Sequence, residues 1–117
     1  MTREDREARH LDGRVLDRLY QVIESRRGGD PATSRTARLL RKGVAKVAQK
    51  VGEEAVETVI EGVAGDKQAL GAESADLLYH LLVLWAARGL EPAAVWAALE
   101  TRMGVSGVAE KAAPPKD

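Results

Sequence analysis

Four carboxylates recur at matched spacing in the middle of the chain. Glu54 and Glu57 form an ExxE pair, and Glu73 and Asp76 form an ExxD pair. Carboxylates three positions apart share one side of a helix, and oxygen-only ligands suit hard cations such as Mg²⁺ or Mn²⁺. On antiparallel neighbouring helices, the two pairs would face one groove. Such a site, with lysines and arginines close by, is suited to hydrolysis of a phosphoanhydride.

The charged residues around the first pair would destabilise an isolated helix. Glu53 and Glu61 add to the repulsion within the pair, and the basic Lys46 and Lys50 precede the acidic residues. Like charges three or four positions apart repel, and the helix dipole favours the opposite order of signs. A bound divalent cation would turn the repulsion into ligation. A solvated charged face remains the alternative interpretation.

The second pair lies in a stretch, residues 69–87, that is apolar nearly all round its helical circumference. Such a helix is buried in a core or an interface, where an uncompensated carboxylate is costly. A salt bridge to Arg38 or Arg41 is the alternative to a metal. His80 is expected to be a hydrogen-bonded core residue. A di-iron site would need two ExxH sequences, and only Glu7–His10 provides one.

Apolar spacing and Gly/Pro punctuation predict five helices and an all-α antiparallel helical bundle. The turn at residues 62–66 is short, so the helices before and after it should lie antiparallel. The apolar face of the third helix is expected to comprise Val44, Val47, Ala48, Val51, Ala55, Val59 and Val63. The predicted helices span residues 8–26, 34–41, 44–62, 67–88 and 92–103.

The length and composition of the chain favour a single domain and argue against nucleic-acid-binding and membrane-spanning proteins. The 117 residues suit one domain over 1–117, with a tail at 105–117 that we expect to be partly disordered. Eighteen basic and eighteen acidic residues leave no net field to attract nucleic acid. The chain has no cysteine, and its longest apolar run, Leu81–Ala87, is too short to cross a membrane. We therefore expect a cytoplasmic protein that binds neither nucleic acid nor membrane.

Several strings of residues resemble the phosphoribosyl-ATP pyrophosphatase family of histidine biosynthesis, within the all-α, MazG-like nucleoside triphosphate pyrophosphohydrolases. The resemblance runs from about residue 11 to residue 112. The ExxE and ExxD elements are common to the wider group, whereas longer strings are typical of this family. These strings are GGDP (28–31), TARLL (36–40), KVGEEAVE (50–57), ESADLLYHLL (73–82) and SGVAEK (106–111).

The resemblance implies hydrolysis of phosphoribosyl-ATP to phosphoribosyl-AMP and pyrophosphate, with Mg²⁺ required. It implies a homodimer, which is consistent with the run Leu81–Trp85 being too apolar for a free surface. A separate phosphoribosyl-AMP cyclohydrolase is expected to carry out the next step. The positions that match metal ligands are Glu54, Glu57, Glu73 and Asp76.

The resemblance also suggests roles for other residues. Glu53 is the candidate for orienting or deprotonating water, with Lys50 in the same catalytic group. Lys50, Arg26 and Arg27 are candidates for phosphate contact, although the arginines could simply complement a helix C-terminus. The sequence departs from the family at Arg35, where a tyrosine is usual, which affects the expected contacts with substrate.

Two further hypotheses stay open. A house-cleaning pyrophosphohydrolase acting on dUTP, dCTP or aberrant triphosphates would need the same metal site. A helical dimerisation module without catalysis would carry the same carboxylates as a solvated face.

Overall fold

The computed structural model describes residues 11–104, which form five α-helices and no strand. The all-α prediction is confirmed. The predicted tail at 105–117 and residues 1–10, which include the Glu7–His10 motif, lie outside the described residues. The helices are α1 Arg14–Ser25, α2 Arg35–Lys42, α3 Val44–Ala64, α4 Lys67–Arg88 and α5 Pro92–Met103.

The start of α1 differs from the prediction that placed it at residue 8. Residues 11–13 are not helical, and α1 begins at Arg14. The carboxylate of Asp12 accepts a hydrogen bond from the amide of Arg14 (3.0 Å) and another from its guanidinium (2.8 Å). Because Asp12 satisfies a free amide of the first turn, it acts much as a cap does. Apolar periodicity alone did not reveal this boundary.

The hairpin of α3 and α4 positions the predicted site. α3 continues two residues beyond its predicted end, and only Gly65 and Asp66 connect it to α4. The side chain of Asp66 accepts the amide of Ala69 at 2.8 Å and caps α4. Gly62 faces Leu70, and Thr58 reaches the carbonyl of Glu73. The predicted antiparallel pairing is therefore confirmed.

The core lies where α1, α2 and the first half of α3 meet the second half of α4. α5 is joined to the other helices by Trp96, whose ring lies edge-on to Trp85 at 5.8 Å. The Trp96 indole also donates a 2.9 Å hydrogen bond to Asp17 of α1. The buried residues of the core are Tyr20, Ile23, Leu39, Val47, Leu82, Val83 and Ala86.

The outward face of α3 contradicts the predicted packing. Val47 is buried as expected, but Val59 and Val63 are 64% and 86% exposed. Glu54 and Thr58 are half-buried instead. The main neighbours of α3 are α4 and the short α2, so residues 11–104 cover one side of the second half of α3 and leave these valines exposed.

The run Leu81–Trp85 lies largely in the core. We expected this apolar helix to be buried in a core or an interface, and its side chains pack largely within the chain. Leu82 and Val83 are fully buried, and Leu84 and Trp85 pack against the same core. Within residues 11–104 no single helix is long and apolar enough to cross a membrane; α4 and α5 reach that threshold only together, bent by 118°.

Candidate metal centre

Three of the four predicted metal ligands converge between α3 and α4. Glu54, Glu73 and Asp76 each contribute a carboxylate oxygen to a cluster whose oxygens lie within 4.8 Å of one another. Glu54 and Glu73 are half-buried, and Asp76 is exposed. The two-residue turn sets this register, because it places position 54 opposite the turn of α4 that contains positions 73 and 76. The cluster is open to solvent on the Asp76 side.

Glu73 is the most constrained of these carboxylates. Burial raises its pKa, and the neighbouring Glu54 carboxylate and the charges of Asp76 and Glu57 raise it further. Its Oε2 atom is buried and has no hydrogen-bond partner within residues 11–104. Buried polar atoms in folded proteins are nearly always satisfied. An unpartnered buried oxygen on a carboxylate of this cluster fits a cation that would bind there.

The alternative to a metal ion, a salt bridge from Arg38 or Arg41, is not formed among the described residues. Arg38 donates its hydrogen bond to the carbonyl of Pro31 at 2.7 Å. Among the described residues no ion pair joins an arginine to Glu73 or Asp76. Within residues 11–104 no ion pair compensates Glu73 or Asp76, and the oxygen-only donor set of the cluster suits a hard divalent ion.

Glu57 and Glu53 lie outside the three-residue cluster. Glu57 is exposed, but its charge contributes to the raised pKa of Glu73. Glu53 accepts hydrogen bonds from Gln49 (2.9 Å) and Lys50 (3.4 Å). These two bonds, together with the charges of Lys50 and Lys46, lower the pKa of Glu53. Glu53 therefore already has the positive partner that Glu73 lacks.

Arg26 and Arg27, the other predicted phosphate contacts, lie at the end of α1. Arg26 is exposed. Arg27 donates to Glu24 at 2.7 Å and to the carbonyl of Ala86 at 2.5 Å. Ala86 lies ten residues after Asp76, which is about 15 Å along a helix. Arg27 therefore joins α1 to α4, and the single chain does not bring it to the carboxylates.

Two polar residues that the sequence analysis did not single out contact the predicted site residues, Thr58 within the cluster and Gln49 beside it. The Thr58 hydroxyl lies 2.8 Å from the carbonyl of Glu54 and 3.4 Å from that of Glu73, so it links the backbones that carry these glutamates. Gln49 holds the carboxylate of Glu53. A threonine four positions after Glu54, in a helix otherwise rich in valine, was the available signal.

His80 is the buried, hydrogen-bonded residue that the sequence predicts, and it is 1% exposed. Its Nδ1 lies 2.8 Å from the carbonyl of Asp76, and its Nε2 lies 3.4 Å from Arg35. The guanidinium of Arg35 also lies 5.9 Å from the ring centre of Tyr79. Arg35 is therefore tied to the helical turn that carries Asp76.

An apolar cleft of about 550 Å³ lies near the end of α4, away from the carboxylate cluster. None of the predicted site residues lines it. Its walls are formed by Val44, Ala48, Leu84, Trp85, Arg88, Gly89 and Leu90.

Comparison with known proteins shows the family of the chain. The family model described as phosphoribosyl-ATP pyrophosphohydrolase matches residues 16–103. The chain is 65% identical over 101 residues to the phosphoribosyl-ATP pyrophosphatase of Azospirillum brasilense, a match covering 86% of this chain and 91% of that protein. The enzyme of the same name from Granulibacter bethesdensis is 63% identical over 87% of this chain and 64% of its own length.

A further relative has the same name. The phosphoribosyl-ATP pyrophosphatase of Paramagnetospirillum magneticum is 57% identical over 100 residues, which cover 86% of this chain and 92% of that protein. The matched region of the family model contains both carboxylate pairs and all five helices except the first two residues of α1. The chain belongs to the phosphoribosyl-ATP pyrophosphohydrolase family.

Proposed function

We propose that this protein hydrolyses phosphoribosyl-ATP to phosphoribosyl-AMP and pyrophosphate in the cytoplasm, as a step of histidine biosynthesis that precedes phosphoribosyl-AMP cyclohydrolase. The observation that carries the proposal is the cluster of Glu54, Glu73 and Asp76, in which the buried Oε2 of Glu73 has no partner among the described residues. Membership of the family and relatives of this name support the choice of substrate.

The proposed cofactor is Mg²⁺, with Mn²⁺ as a substitute. Glu54, Glu73 and Asp76 would hold it, and Glu57 would join them after a change of side-chain rotamer. When bound, the ion supplies positive charge that offsets the phosphate oxygens. The protein's own contribution is a half-buried set of oxygens whose mutual repulsion favours a cation.

Glu53 is proposed to orient the attacking water. Its lowered pKa keeps it ionised, so it accepts a hydrogen bond from water near neutral pH. The same lowered pKa makes it a weak base, which favours orientation over full deprotonation. Lys50 and Gln49 fix the carboxylate, and Lys50 is also the proposed contact to a phosphate oxygen. The water oxygen forms a bond to phosphorus as the bond between the α and β phosphates breaks, and pyrophosphate leaves.

Arg26 and Arg27 are proposed to contact a more distant phosphate. Phosphoribosyl-ATP carries a phosphate on its phosphoribosyl group in addition to the triphosphate. The separation of about 15 Å along α4 between Asp76 and the Arg27 contact suits that second phosphate better than the triphosphate. Arg26, which is exposed, is the freer of the two because Arg27 is engaged with Ala86.

A homodimer is proposed from the outer face of α3. Val56, Val59, Ile60 and Val63 follow the spacing of one helical stripe and are between 51% and 86% exposed. A continuous apolar stripe on a folded chain is typical of an interaction surface. A second copy of the same stripe would cover it in a two-fold dimer.

The test is pyrophosphate release by purified protein from phosphoribosyl-ATP with Mg²⁺, with EDTA, and beside a panel of ordinary nucleoside triphosphates. We expect metal-dependent release from phosphoribosyl-ATP alone. Equal release from dUTP or dCTP would favour a house-cleaning pyrophosphohydrolase. No release from any nucleotide would favour a non-catalytic dimerisation module.

A further inference from the structure

The hydrogen bonds of His80 define one tautomer. Its Nδ1 lies 2.8 Å from the backbone carbonyl of Asp76, which can only accept, so Nδ1 carries the proton. Its Nε2 lies 3.4 Å from Nη2 of Arg35, which can only donate, so Nε2 presents its lone pair. Both partners therefore require the same tautomer. With the ring 1% exposed, there is little solvent to replace either of them.

Arg35 is held in place by the first turn of α2. Its guanidinium lies over the ring of Tyr79 at 5.9 Å, and the next residue, Thr36, shares a 2.6 Å hydrogen bond with the Tyr79 hydroxyl. The Tyr79 ring in turn meets His80 edge-on at 5.0 Å. The first turn of α2 thus contacts α4 one helical turn beyond Asp76.

We propose that Arg35 is a positioning residue for the metal centre, acting through His80 on the turn of α4 that carries Asp76. The inference rests on the proposed role of Asp76 as a metal ligand. Without the donor from Arg35, His80 can place its proton on Nε2. Its Nδ1 lone pair would then face the lone pairs of the Asp76 carbonyl. The ring or the carbonyl must turn away, and the Asp76 carboxylate moves with its backbone.

The expected change in metal affinity follows from the indirect link between Arg35 and the cluster. Residues that orient metal ligands without touching the ion change metal affinity by about 10- to 100-fold when they are replaced. The link from Arg35 passes through a side chain and a backbone carbonyl, so we expect the lower end, about tenfold. No direct contact between Arg35 and substrate is needed.

The experiment compares Arg35→Met with the wild-type protein in two measurements that do not depend on turnover. Met keeps an apolar stem of similar length over Tyr79 but removes every N–H donor. Long-range ¹H–¹⁵N spectra report which ring nitrogen of His80 is protonated, and His80→Gln assigns the signal, since the chain has two histidines. Titration with Mn²⁺ alone, followed by electron paramagnetic resonance, gives the metal affinity.

We expect His80 to be protonated on Nδ1 in the wild-type protein and to populate the Nε2–H tautomer in Arg35→Met, with Mn²⁺ affinity about tenfold lower. Arg35→Lys, which keeps a donor and the charge, should restore most of both properties. Arg38→Met is the matched control, because Arg38 lies on the same helix but bonds to Pro31. It should leave both measurements unchanged.

Three results would overturn the proposal. They are an unchanged His80 tautomer in Arg35→Met, a changed tautomer with unchanged Mn²⁺ affinity, and an equal loss in Arg38→Met, which would indicate general loosening of α2. Failure of the wild-type protein to bind Mn²⁺ would instead refute the proposed metal site itself, and the spectra would still show whether Arg35 controls His80. If Arg35→Met does not fold, Arg35→Leu, which also removes every N–H donor, measures the same two quantities, and the same results would overturn the proposal.

Discussion

The face of α3 that packs against α4 carries polar side chains, whereas its solvent-exposed face carries apolar ones. Toward α4, the helix half-buries Glu54 and Thr58, whereas toward solvent it exposes Val56, Val59 and Val63. A helix on the surface of a single folded chain normally buries its apolar stripe and exposes its charges. The proposed metal ion and the proposed dimer each concern one of these faces. The ion would compensate the carboxylates of the inner face, and a second copy of the chain would cover the valines of the outer face.

Two glutamates on either side of the hairpin sharpen this contrast. Glu53, at the exposed edge of α3, has a lowered pKa because Gln49 and Lys50 hydrogen-bond to it. Glu73, between α3 and α4, has a raised pKa because it is partly desolvated and faces other carboxylates. The Glu53 carboxylate thus has hydrogen-bond donors and a nearby positive charge, whereas the Glu73 carboxylate faces only negative neighbours among those that shift its pKa. Substitutions on the inner face should therefore affect catalysis and metal binding, whereas substitutions on the outer face should affect dimer assembly.

The largest effect is expected from removing a ligand on the inner face. Glu54→Gln and Asp76→Asn should each lower kcat/KM for phosphoribosyl-ATP by about 1,000-fold, since a metal ion contributes several kcal/mol to the transition state. Helicity should be unchanged, because the substitutions remove repulsion. Steady-state pyrophosphate release and circular dichroism test this, with exposed Glu100→Gln on α5 as the control. Near wild-type rates in either variant would contradict the proposed ligand set.

Replacing Glu53 is expected to cause a smaller loss of activity and to leave metal affinity unchanged. Glu53→Gln should lower kcat by about 100-fold, the lower end of the range for groups that assist proton transfer. Mn²⁺ affinity should stay within about twofold of wild type, because Glu53 lies outside the cluster and ligand-supporting residues change affinity by about tenfold or more. Calorimetric titration with Mn²⁺, beside kinetics, separates the two roles. A parallel loss of Mn²⁺ affinity would make Glu53 a ligand instead.

On the outer face the expected change is in assembly. Val59→Lys should weaken the dimer about tenfold or more, because burying a valine contributes about 1.5 kcal/mol or more. Sedimentation equilibrium over a concentration series measures the dissociation constant. Val22→Lys, at a valine of α1 that is 46% exposed, is the matched control. A wild-type protein that is monomeric throughout the series would refute the proposed dimer.

The smallest effect is expected in the stability of the metal-free protein. The pKa of Glu73 is raised above 4.5 on folding, so the stability that Glu73 contributes is present below pH 4.5 and is lost as pH rises through the raised value. In EDTA near neutral pH, Glu73→Gln should therefore have a higher Tm than the wild-type protein. The difference should shrink as pH falls toward 4.5. A constant Tm difference across this pH range, measured by thermal denaturation, would rule out this explanation.

Local signals in the sequence predicted most of the fold. The Ser34 hydroxyl caps α2 by accepting the amide of Ala37, Pro92 begins α5, and Gly89 ends α4 with a positive φ of 69°. These signals act within one turn of helix, so they can be recognised without knowing the tertiary structure. The burial of α3 could not be predicted in this way, because periodicity identifies an apolar stripe without showing whether the same chain covers it.

The site was predictable to a similar extent. The spacing of the two carboxylate pairs and the short turn were enough to bring Glu54, Glu73 and Asp76 together. The contact between Arg35 and His80 joins positions far apart in the chain, and the sequence contains no periodic signal for it. The alternative of a salt bridge from Arg38 is not borne out, because a nearby carbonyl, that of Pro31, accepts its hydrogen bond.

The connection through Gly65 and Asp66 also has a consequence for folding kinetics. Glu54 and Glu73 are only about 20 positions apart, so little loop entropy is lost when they meet. Contacts of such short range favour fast folding. The candidate metal centre is therefore built into a local tertiary unit, the α3–α4 hairpin, whereas the contact between Trp96 and Asp17, which attaches α5 to α1, closes a loop several times longer.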